Sequence, residues 1–189
     1  MIKEINEELA QLHKEYMFFG LILFTESHPN VIKMLQDRIY YMALDSTSGD
    51  DICVFATMLF PANFAYPTPP PGMFGKMKPI WVEPSANLKI LSWFNIDDRK
   101  SLPVLVIFST FDDTIHWEIY PIKHEKPGRI FDSVHSALES IAELIDKHRG
   151  ISKEELFKKL KWKIKKLKIF DKTKSLLNVL KDFNSLNPI

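Results

Sequence analysis

From Tyr16 to Phe24 every residue except Gly20 is apolar, and this run constrains the fold more than any other feature of the chain. A strand with one wet face alternates apolar and polar side chains. A strand that is apolar throughout is covered on both faces. The segment MFFGLILFT, residues 17–25, therefore reads as a central strand of a sheet with helices above and below, an α/β architecture. The run is about half the roughly 20 residues that a membrane helix requires, and no other stretch is longer, so no transmembrane segment is expected.

The rest of the chain is read outward from that strand. Ile2, Ile5, Leu9, Leu12 and Tyr16 recur at helical spacing and predict an amphipathic helix over residues 1–16. These opening residues are charged rather than a basic stub followed by an apolar block, which points to a cytoplasmic protein. After the strand, Ser27 or His28 can cap a helix that carries Pro29 in its first turn. That helix is predicted to run to about Leu44, with Ile32, Leu35 and Ile39, widened by Val31, Met34 and Met42, as its buried face. The polar stretch Ser46 to Asp51 ends it. A second strand, DDICVFATMLF, holds the chain's single cysteine, Cys53. Free cysteine is among the most buried residue types, so Cys53 reads as a core side chain.

Residues 61–84 hold more than half of the 12 prolines, a density that forbids regular helix and weakens any strand except an edge. The segment is predicted to be a long insertion, either packed over a sheet edge or offered to a partner, since its aromatics Phe64, Tyr66, Phe74 and Trp81 argue against simple disorder. A short helix is expected at Asn87 to Phe94. Pro103 then opens a strand through Val104, Val106 and Ile107. Ile115, Trp117 and Ile119 alternate after the turn at Asp112 and Asp113, which predicts an antiparallel hairpin. A helix starting at Asp132 or Ser133, with Val134, Leu138, Ile141 and Ile145 as its stripe, should end at Gly150.

The net charge of +1 conceals two opposed parts. Residues 151–189 hold 11 of the 25 basic residues and only Glu154, Glu155, Asp171 and Asp182 of the 24 acids, a net +7 against −6 for residues 1–150. In this basic tail Leu156, Leu160, Ile164 and Leu167 form one helical stripe, with Lys158, Lys159, Lys161, Lys165, Lys166 and Lys168 around the rest. A shorter helix with Leu176, Leu177, Leu180 and Phe183 is expected after Asp171 to Ser175. Such a helix can dock on the acidic body or a second subunit, bind nucleic acid phosphates, or lie on an anionic membrane. Docking is the simplest use. No arginine accompanies the lysines, and arginine is the usual reader of base edges.

No metal or cofactor is implied. His13, His116, His124, His135 and His148 lack metal-ligand spacing. The chain has no GxGxxG, no phosphate-binding loop and no GxSxG. Asp97-Asp98 and Asp112-Asp113 are neighbours that diverge in direction, so they read as turn residues.

The element order over residues 17–150 resembles the thioredoxin fold, a three-layer α/β/α arrangement with a mixed central sheet, here with an N-terminal helix and the basic C-terminal extension added. Leu21 to Leu35 resembles that family's active-site strand, turn and helix. Phe94-Asn95-Ile96 resembles the element ahead of its proline loop, and Ser101-Leu102-Pro103 before VLVIF is similar to the cis-proline loop itself. The resemblance implies a cis Pro103, facing a turn at Glu26, Ser27, His28 and Pro29, the two together holding an extended peptide of a partner. Pro29 and Ile32 stand where the family has its two cysteines, so dithiol chemistry is excluded. With no serine, acid or metal companion at a telling spacing, His28 reads as a helix cap rather than a nucleophile. The sequence therefore points first to a redox-inactive interaction module with a protein partner or a second copy. The alternatives are a nucleic-acid-associated protein using the tail lysines and a nonredox enzyme centred on His28.

Overall fold

The computed structural model describes residues 16–25, 27–48, 51–58, 77–81, 90–92, 94, 96, 102–112, 114–123 and 125–186. The helix expected over residues 1–16, most of the 61–84 segment and most of the 87–94 helix lie outside these. Five strands, β1 (Phe18–Leu23), β2 (Ile52–Met58), β3 (Met77–Trp81), β4 (Val104–Phe111) and β5 (Thr114–Pro121), form one mixed sheet in the order β3-β2-β1-β4-β5. β1 runs parallel to β2, with Phe18 beside Ile52, and antiparallel to β4, with Leu21 beside Val106. β4 and β5 form the expected hairpin, Phe111 facing Thr114 across a turn at Asp112, whose φ is 52°.

The central run behaves as its composition requires. All six residues of β1 are buried, and they alternate between two cores. Phe18 and Ile22 join one that includes Met34, Leu44, Ile130 and Leu138. Phe19, Leu21 and Leu23 join the other with Cys53, Leu91, Phe94 and Val106. Gly20 is required by the closeness of its neighbours, since a Cβ there would lie 3.2 Å from Val54 Cγ2. Each fully buried large apolar side chain is worth about 1.5–3 kcal/mol, so the two cores, meeting at β1, dominate the fold's stability.

Helices α1 (Pro29–Gln36), α2 (Arg38–Thr47) and α3 (Pro127–Lys147) cover the first core, and α1 and α2 both pack on α3. The single helix expected from Pro29 to about Leu44 is thus two. Asp37, at φ −75° and ψ 118°, leaves helical geometry, and its carboxylate accepts from the backbone N–H groups of Ile39 (2.8 Å) and Tyr40 (3.4 Å), an N-cap that starts α2 on a new axis. The predicted face is corrected accordingly. Val31, Met34 and Leu35 are buried, but Ile39 is 78% exposed while Tyr41 and Leu44 turn inward. α3 begins at Pro127, earlier than Asp132, because proline needs no N–H partner in a first turn. Its stripe is the predicted one, extended back to Ile130.

Two further corrections concern the chain's unusual segments. The 61–84 insertion contains β3, parallel to β2 and placed at the end of the sheet order, the position where a strand tolerates Pro79. The tail forms one helix, α4 (Lys153–Leu186), not two. Neither glycine nor proline interrupts it, and the polar stretch at Asp171 to Ser175 stays helical. Among the described residues no helix is long and apolar enough to cross a membrane.

Candidate functional site

The first turn of α1 meets the loop ahead of β4 at one histidine. β1 ends the central apolar run, and the chain reverses tightly, His28 N–H donating to Thr25 O at 3.0 Å. This places His28 at the N-cap of α1, where its carbonyl accepts from Val31 and Ile32. Its side chain does not cap the helix, contrary to expectation. The half-buried ring instead bonds on both sides. Nδ1 accepts from the backbone N–H of Thr25 at 3.1 Å and lies 2.9 Å from Thr25 Oγ1, which in turn is 2.6 Å from Ser27 Oγ. Nε2 lies 3.2 Å from the carbonyl oxygen of Leu102.

These contacts assign the ring's protons. A backbone N–H can only donate, so Nδ1 is the acceptor and carries no hydrogen. The carbonyl of Leu102 can only accept, so Nε2 carries the N–H. His28 is therefore the neutral Nε2–H tautomer, bridging a local turn to a loop 74 residues away in sequence. The Leu102–Pro103 peptide bond is cis, and both residues are buried. Pro103 O accepts from Ile122 N at 2.9 Å. Asn30 Nδ2, two residues on from His28, donates to Glu125 O at 2.9 Å. Three separate segments are thus pinned around the start of α1.

Of the predicted groove residues, Ser27 and Pro29 are exposed, His28 is half-buried and Leu102 and Pro103 are interior. Glu26 and Ser101 lie outside the described residues. Thr25 and Asn30 carry no sequence signal, because no spacing rule links a threonine to a histidine three positions later or an asparagine to a distant carbonyl.

The second candidate surface is the tail. Leu156, Phe157, Leu160 and Ile164 are buried against the body, where the Phe157 ring lies 6.2 Å from Phe18, 5.9 Å from Phe111 and 5.8 Å from His116. Three of the six candidate lysines have acidic partners. Lys161 and Lys168 approach Glu118 of β5 at 3.7 and 3.9 Å, and Lys158 binds Glu154 at 2.7 Å. That last hydrogen bond, with the opposite charge behind it, holds the Glu154 carboxyl below its ordinary range and Lys158 above its own. Lys159, Lys165 and Lys166 are exposed, and Lys166 Nζ sits 3.5 Å from the centre of the Trp162 ring. Glu118 could have been found from the sequence. It shares the even positions of β5 with Tyr120, the face that α4 covers. Among the described residues no cluster of histidine, cysteine and acids could hold a metal ion.

Compared with known proteins, the chain matches no family model, no curated protein and no solved structure.

Proposed function

We propose that the chain is a redox-inactive, thioredoxin-like interaction module acting in the cytoplasm, with the turn after β1 and the Leu102–Pro103 loop as its partner-facing corner. The observation that carries this reading is the juxtaposition made by His28, which joins that turn to the carbonyl preceding Pro103 at 3.2 Å. It occurs in a sheet where β2, β1, β4 and β5 lie side by side in that order, the first pair parallel and the others antiparallel. Such a mixed sheet is compatible with the reading. The chemistry of the redox members is absent, since the turn offers Pro29 and Ile32 and the sole thiol, Cys53, is fully buried.

Binding is favoured over catalysis at this corner because both nitrogens of His28 are engaged by protein atoms, leaving neither to exchange a proton with a substrate. The Leu102 carbonyl is likewise taken, so a partner peptide would use the exposed rim, Ser27 and Pro29, rather than the loop backbone. The test is a comparison of partners captured by the full chain and by its Ser27→Arg variant, which crowds the rim without touching the core. Retained partners that the variant loses support the reading. Equal retention by both, or disulfide reduction in a turnover assay, overturns it.

A further inference from the structure

We propose that the outer face of α4 binds anionic lipid surfaces, laying the helix flat on a membrane with the α/β body above it. A helix turns 100° per residue. The buried positions Leu156, Leu160 and Ile164 define its inner side, and Trp162 and Ile169 fall about half a turn away. They are 59% and 57% exposed, large apolar groups one heptad apart on the surface. Together they make a short outer stripe about 10 Å long at 1.5 Å per residue.

The border of that stripe selects its occupant. Lys159, Lys165 and Lys166 are exposed beside it, and Lys166 stands over the Trp162 ring. Apolar groups with tryptophan on one face and lysines at the margins are what an interfacial helix needs on an anionic bilayer, where burial and charge attraction add. Nucleic acid would satisfy the lysines and give Trp162 a base to stack on, but it would leave the aliphatic Ile169 in water. Pairing two copies of α4 would bring lysine against lysine along the seam. Protein interfaces favour arginine and are depleted in lysine, whereas residues 151–189 contain lysine alone. This inference stands apart from the Ser27 rim and survives its failure.

The test is flotation of the full chain with vesicles of phosphatidylcholine and phosphatidylglycerol in equal parts, against vesicles of phosphatidylcholine alone. The expected result is binding to the anionic vesicles only, released by about 0.5 M salt. Trp162→Glu combined with Ile169→Glu lowers the bound fraction about tenfold, and Lys165→Glu with Lys166→Glu does the same, while circular dichroism and the melting temperature stay at the parent values for these exposed positions. No flotation with anionic vesicles, equal binding to the neutral ones, or binding unchanged in both variants overturns the proposal. So does a dimer by light scattering that Trp162→Glu with Ile169→Glu dissolves, which would give the face to a second copy.

Discussion

His28→Ala separates a structural clasp from a catalytic group by the sign of its effect. The substitution removes the Nε2–H that serves Leu102 O and the Nδ1 lone pair that serves the Thr25 N–H. A buried polar group left without a partner costs about 1–3 kcal/mol. Both sites here are part-buried, so water recovers some of that loss, and the lower end applies to each, about 2 kcal/mol together. For a chain of this length 1 kcal/mol moves the melting temperature by about 2–4 °C, so the variant should melt about 4–8 °C below the parent. His28→Gln is the control. Its amide can replace one of the two bonds but not both at that span, and half the loss is expected. Thermal unfolding followed by circular dichroism, with urea midpoints as a second measure, reads both. Residues kept for function at a cost to stability give neutral or stabilised variants when removed. A His28→Ala protein that melts at or above the parent temperature therefore refutes the clasp and revives His28 as a reactive group, as would a glutamine variant no better than alanine.

Phe157→Ala should destabilise the protein by about 3–5 kcal/mol, since its ring is interior among Phe18, Phe111 and His116. A loss below about 1 kcal/mol in urea unfolding would mean that α4 is not docked as described. Gly20→Ala places a methyl 3.2 Å from Val54 Cγ2 and should cost about 1–3 kcal/mol, whereas relief of backbone freedom alone would stabilise. Glu154→Gln tests the exposed pair with Lys158. The lowered carboxyl contributes above its unfolded value of 4.5 and is lost as pH falls through the folded one, and the raised ammonium contributes below 10.5 and is lost as pH rises through its own. Because both groups are exposed, the urea midpoint of the variant at pH 7 should match the parent in about 0.5 M salt, and a difference that persists there would show a contact beyond the pair.

The sequence made the centre of the fold legible and its joints much less so. β1, the β4–β5 hairpin, the interior Cys53 and the stripe of α3 each followed from a local pattern that burial alone enforces. The break at Asp37 did not, because Ile32, Leu35 and Ile39 fit one helical face. Asp37, a helix-capping residue type in the middle of that pattern, is the signal of the break, and the apolar periodicity around it masks that signal. Pro127 marks the true start of α3 by the same rule that Pro29 obeys in α1. β3 was hidden because its proline reads as a breaker, and only its place at the sheet edge makes Pro79 acceptable. The polar stretch in the tail read as a linker because the apolar stripe loses phase there, although the helix itself continues. At the candidate corner, the turn and the proline loop were both identified, but the bond that joins them spans 74 residues. Nothing in local spacing encodes such a contact.

The charge asymmetry gains a different meaning once the docking is resolved. Opposed charges of +7 and −6 suggest a tail held by electrostatic attraction, yet the inner side of α4 is held by Leu156, Phe157, Leu160 and Ile164. Four such side chains contribute about 6–12 kcal/mol by burial. The two contacts to Glu118, long at 3.7 and 3.9 Å and partly exposed, contribute at most about 1 kcal/mol each. Apolar burial therefore fixes the helix, and most of the lysine charge is not consumed in holding it. A helix that needed only to dock could carry a neutral outer face of mixed polar residues. This one instead keeps lysines beside exposed Trp162 and Ile169, the combination on which the proposed contact with anionic lipid rests. Within this 34-residue helix, attachment to the α/β body thus needs only the inner side, which leaves the outer lysines and Trp162 at the surface.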